Sequence, residues 1–133
     1  METLKIQSGR VELAINGDPE RVVAFDPEDV AFAAGFYRLA GSFAQKEEEY
    51  RRRAAALGEG DPGGAVALME EMCGWLREQI DLLFGEGTCR TAFGASSSLG
   101  LYQQFFEGVV PYIKGARAQK LERYTRDGDG VLR

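Results

Sequence analysis

The 133-residue chain contains no histidine, and that absence removes a good deal of chemistry. Without imidazole there is no histidine general base, no Ser-His or Cys-His nucleophile pair and no histidine metal ligand. Cysteine is scarce too. Cys73 and Cys89 stand sixteen residues apart among large apolar neighbours. That spacing matches no zinc-ligand pattern and no disulfide framework, so both read as reduced core thiols. Basic residues are outnumbered, 16 Lys and Arg against 21 Asp and Glu, for a net charge of −5. An acidic chain is poorly suited to phosphate backbones, which argues against nucleic acid as a partner. Nor is there a run approaching the roughly 20 apolar residues that cross a bilayer. The opening METLKIQSGR has no signal-peptide apolar stretch, and a cytoplasmic protein without membrane attachment is expected. No catalytic constellation, metal site or cofactor site emerges, and the expectation is a non-enzyme.

What is present suits a folded domain. Apolar residues make up 44% and charged residues 28%, and a chain of this length buries a core without staples. With no internal repeat and no dividing linker, residues 1–133 read as a single domain. Leu4-Lys5-Ile6-Gln7, Val11-Glu12-Leu13-Ala14-Ile15 and Val22-Val23-Ala24-Phe25 read as strands. The first two alternate apolar and polar residues. Ser8-Gly9 and Asn16-Gly17-Asp18-Pro19 supply turns, so residues 1–25 are expected to form a three-stranded antiparallel meander.

The remainder reads as helix, giving an α+β protein with three main helices over residues 26–124. Asp26 is an N-cap candidate, Pro27 fits the first helical position, and Glu28 and Asp29 suit the positive end of the dipole. That helix should run to Leu57, where Gly58 and Gly60 stop it. Its apolar stripe is Phe36, Ala40, Phe43, Tyr50, Ala54 and Leu57. Glu47, Glu48 and Glu49 each precede an arginine by four residues, and such pairs, worth about 0.2–0.5 kcal/mol each, read as a solvated face. Pro62 opens a second helix reaching Phe84, with Gly85 as its C-cap. Thr88 caps a short turn through Phe93, and Ser96-Ser97-Ser98 precedes a last helix to about Tyr124. Pro111 is expected to kink or split that helix, and residues 125–133 to fray.

Two local patterns imitate known sites and are set aside. Gly85-Glu86-Gly87-Thr88 follows a helix and lacks the lysine of a phosphate loop. Asp127-Gly128-Asp129-Gly130 opens like a calcium loop, but the chain ends before the required glutamate. Two others suggest binding. Trp75, Phe84, Tyr102, Phe105, Phe106 and Tyr112 are many aromatics for two helices, and Lys114, Arg117, Lys120, Arg123 and Arg126 make one helix end basic within an acidic chain. These select Phe105, Phe106, Tyr112, Lys114 and Arg117 as candidate partner-binding residues.

A resemblance rests on the whole-chain pattern. Phe25-Asp26-Pro27-Glu28-Asp29-Val30-Ala31-Phe32-Ala33 with Phe36-Tyr37 precedes a Glu/Lys/Arg-rich helix. Ile80-Asp81-Leu82-Leu83-Phe84-Gly85-Glu86-Gly87-Thr88, Phe105-Phe106-Glu107-Gly108 and Pro111-Tyr112-Ile113 follow. Over about residues 4–124 this resembles small proteins from the tail-gene modules of siphophages and prophages of Gram-positive bacteria. Those are regarded as tail assembly chaperones, or are left uncharacterised. The resemblance implies a self-associating protein that coats the helical tape-measure protein in the host cytoplasm and keeps it soluble until the tail tube forms. A tail component retained in the virion, or a regulator binding a host protein, are the rival expectations.

Overall fold

The computed structural model describes the backbone of residues 1–132 and the side chains of residues 1–118. Strand β1 (Val11–Ala14) pairs antiparallel with β2 (Val22–Phe25), with Val11 opposite Phe25 and Leu13 opposite Val23. Between them, Ile15–Gly17 forms a 3-10 turn in which Asn16 (φ 53°) and Gly17 (φ 77°) take positive φ. Asn-Gly is the pair that tolerates this geometry, so the second sequence-predicted turn forms where expected.

The third strand does not. Among the described residues the sheet has two strands, and residues 1–10 carry no secondary structure. A two-residue hairpin at Ser8-Gly9 needs positive φ, and neither residue adopts it. Gly9 instead lies so close to the Glu28 side chain that a Cβ there would overlap the carboxylate. The chain runs past Glu28 rather than reversing, and Leu4–Gln7 projects as an arm.

Helix α1 (Val30–Leu57) begins three residues after the expected point. Asp26 heads its own turn, its carboxylate accepting from the Glu28 N–H (2.9 Å) and its carbonyl from the Asp29 N–H (3.2 Å). The cap is Asp29, whose carboxylate accepts from the Ala31 N–H at 2.9 Å. Helix α2 (Pro62–Phe84) starts at Pro62 behind an Asp61 cap and stops at Gly85. The short α3 (Thr88–Phe93) has Gly87 at its N-cap, while Thr88 Oγ1 donates to the Gly85 carbonyl. Helix α4 (Leu99–Leu132) runs as one element through Pro111 and beyond Tyr124. Pro111 is exposed, so water can satisfy the carbonyl that its missing N–H leaves free, and the helix is not split. Of the residues expected to fray, 125–132 belong to α4, and Arg133 lies outside the described residues.

One apolar cluster joins these elements. Phe32, Phe36 and Leu39 of α1 meet Leu76 and Ile80 of α2 and Tyr102, Phe106, Val109 and Ile113 of α4, under Val23 and Phe25 of the sheet. On α4 the buried positions advance by three or four, the signature of a helix with one face inward. Helices α1 and α2 lie against each other beyond this cluster, where Tyr50 and Met72 are buried and Arg53 reaches Glu71 (3.3 Å). Of the three expected Glu–Arg pairs, Glu47–Arg51 forms (3.1 Å). Glu49 pairs with Lys46 instead (3.5 Å). All these side chains remain solvated, and such pairs are worth little. Leu57 stays exposed, so the stripe of α1 ends before it does.

Candidate functional site

The hairpin has two unlike flanks. On the β2 side, Arg21 donates from Nε to the Thr91 carbonyl (3.0 Å) and from Nη2 to the Ala92 carbonyl (2.8 Å). Arg77 of α2 donates to the carbonyls of Gly94 (2.7 Å) and Ser96 (3.0 Å) just beyond α3. At the other end of α3, the Asp81 carboxylate accepts from the Cys89 N–H (2.9 Å). Cations at the carbonyl end and an anion at the N–H end complement the helix dipole, so α3 is held at both ends. Cys89 Sγ donates to the Arg77 carbonyl, and burial, reinforced by the Asp81 charge, pushes its thiol up to about 12. Burial raises the Cys73 thiol as well. Both thiols are neutral and enclosed, which makes them packing residues rather than nucleophiles.

The β1 side is open. Val11, Leu13 and Ile15 face inward but are only half-buried. Beside them a groove of about 490 Å³ separates the sheet from α4. Its α4 wall is Leu101, Gln104, Phe105, Gly108 and Tyr112, a set at three- and four-residue steps, and Gly108 keeps the middle of the wall low. Leu101 and Tyr112 remain 37% and 43% exposed at its two ends. A second hollow of about 530 Å³ lies between the base of the arm and the start of α1. Its Asp29 carboxylate caps α1 and its Asp26 carboxylate closes the preceding turn, so these acids serve the backbone. Among the described residues no three His, Cys, Asp or Glu side chains group as a metal site, and no helix is long and apolar enough to cross a membrane.

The candidate residues divide on this map. Phe105 sits at the groove floor, half-buried, with its ring 4.9 Å from Phe84 and 5.4 Å from Phe93. Tyr112 stands at the groove end with its ring edge-on to Phe25 at 6.1 Å. Lys114 is exposed one half-turn further along α4. Phe106 is a correction. It is buried between Phe36 (5.6 Å) and Phe43 (6.0 Å), because it follows Phe105 by one residue and therefore points about 100° round the helix into the core. Arg117 also has an internal role, donating to the Pro27 carbonyl (3.0 Å) and so tying α4 to the turn before α1. The side chains of Lys120, Arg123, Arg126, Asp127 and Asp129 lie outside the described residues. Sequence reasoning missed Leu101 at the groove mouth and the Arg21–Arg77–Asp81 clamp. Only the spacing of Arg77 and Asp81 by one helical turn hinted at the latter.

The molecule is thus an α+β body in which a clamped short helix closes one flank of a hairpin and a groove of mixed polar and apolar lining opens the other. The chain belongs to a family of unknown function, DUF6673, whose model matches residues 20–128. The arm and β1 precede the matched segment. No curated protein and no solved structure matches the chain.

Proposed function

We propose that this protein is a non-catalytic tail assembly chaperone of a siphophage or prophage, binding the tape-measure protein in the host cytoplasm and keeping it soluble during tail assembly. The observation that carries the reading is the groove along α4, apolar on its floor and exposed at Leu101 and Tyr112. From Leu101 to Tyr112 the wall extends about 16 Å, or three turns of a docked helix at 1.5 Å per residue. An amphipathic client helix can lay a short apolar stripe there, with Leu101, Phe105 and Tyr112 as contacts, whereas Lys114, half a turn beyond Tyr112, points to the other side of α4. A protein that coats a long client needs many weak, repeated contacts of this kind rather than one enclosed pocket. The likeness of the chain's overall residue pattern to tail-module proteins supports the same reading.

The test is co-expression with the long helical protein encoded next to it. The client turning soluble and co-purifying with many copies supports the proposal, and Tyr112→Ala should release it. A client that stays insoluble while this protein elutes alone overturns it. Recovery of this protein from purified virions would instead favour a structural tail component.

A further inference from the structure

The arm and the open flank of the hairpin are complementary. Leu4 and Ile6 alternate with polar residues as a half-buried strand does, yet they are 83% and 84% exposed. Among the described residues strand β1 has a hydrogen-bonded neighbour on one edge, β2, and its inward residues Val11 and Leu13 are incompletely covered. An uncovered edge beside a groove is a site for strand addition.

We propose that copies of this chain associate by arm exchange, the segment Glu2–Gln7 of one copy adding as an antiparallel third strand to the β1 edge of another. Placing Lys5 opposite Glu12 fixes the register. Leu4 then faces Leu13 and Ile6 faces Val11 over the groove, while Lys5 and Glu12 form an opposite-charge pair on the solvent side. Glu2 then stands opposite Ile15, past the end of β1 where the 3-10 turn begins. A slip of one residue would bury Lys5 and expose Leu4 and Ile6, so the alternation enforces this register. The same pairing within one chain requires a reversal at Ser8-Gly9, and the seating of Gly9 on Glu28 holds the chain in the other course. Exchange between copies satisfies the pattern without that turn, the usual economy of a swapped element.

The arm covers part of the groove that the proposed function gives to a client helix, so arm and client compete for it, and the test is made on the protein alone. Lys5→Cys protein mixed with Glu12→Cys protein and mildly oxidised should yield a reducible covalent species of two chains, whereas unmixed samples should yield far less. The native thiols are buried and do not compete. In parallel, Leu4→Asp with Ile6→Asp should lower the mass measured by light scattering towards that of one chain, with unchanged helical circular dichroism. Absence of the mixed cross-link together with an unaltered mass overturns the proposal. So does a Lys5→Cys, Glu12→Cys double variant that closes its disulfide entirely within single chains.

Discussion

The two flanks of the hairpin belong to strands of four residues each, VELA and VVAF, and end up in opposite conditions. On the β2 flank, charged side chains find backbone carbonyls that would otherwise lack partners, and Val23 and Phe25 are sealed beneath α3 and the helices. On the β1 flank no such clamp is found among the described residues, and Val11, Leu13 and Ile15 are left half-covered. The difference is one of hydrogen-bond closure rather than of hydrophobicity. Rigid structure lies where the ends of α3 are satisfied, and available surface where a strand edge is not.

The comparison is broken most severely from its closed side. Tyr102 is fully buried against Phe93, ring to ring at 4.8 Å, and its enclosed hydroxyl has no hydrogen-bond partner among the described residues. Tyr102→Ala should cost about 3–5 kcal/mol, as aromatic truncations in cores do, and should appear as a large fall in urea midpoint. A loss under about 1 kcal/mol would mean that this flank is not the rigid one.

Next come the clamping arginines. Arg21→Met frees the Thr91 and Ala92 carbonyls, and Arg77→Met those of Gly94 and Ser96. Charge-assisted hydrogen bonds at half-exposed positions predict a loss of about 1–2 kcal/mol for each. Arg21→Lys should rescue little, because one ammonium cannot reproduce a fork across two carbonyls. Hydrogen exchange should accelerate in α3 and leave α1 unchanged.

An effect confined to alkaline pH follows from Cys89. Its thiol is raised from 9.0 to about 12 in the folded chain, chiefly by burial. Between those values the unfolded chain has lost this proton and the folded chain keeps it. Stability therefore falls as pH rises from about 9 towards 12, and the contribution is complete below 9. Cys89→Ala should flatten that alkaline slope in chemical denaturation, with part remaining from Cys73, which is shifted the same way.

Much of this architecture was legible because its signals are local. Asn16-Gly17, Gly58, Pro62 and Gly85 fix turns and helix ends through their own φ preferences, and each acts where the sequence indicated. What escaped depends on distant chain. Ser8-Gly9 does not reverse, and Gly9 lies against Glu28, nineteen residues beyond it. Which of Phe105 and Phe106 faces the groove is decided by where α1 packs, and the basic character of Arg117 gave no hint of a bond to Pro27, 90 residues earlier. The Asp26-Pro27-Glu28-Asp29 run was ambiguous for a subtler reason. It holds two capping acids, and with Pro27's carbonyl engaged by Arg117 the second of them takes the cap.

The smallest effect on stability is expected on the open flank. Tyr112 is nearly half exposed, and its ring meets Phe25 edge-on rather than filling a cavity. Tyr112→Ala should therefore change stability by no more than about 0.5 kcal/mol, the range of surface positions. Yet Tyr112 bounds the groove, and aromatic residues at such places carry a large share of binding energy. If the groove is a contact surface, Tyr112→Ala leaves the melting curve in place and abolishes client co-purification, while Phe106→Ala lowers the melting curve first. Equal effects of both variants on stability and on binding would erase the distinction between a floor that folds the protein and a rim that binds.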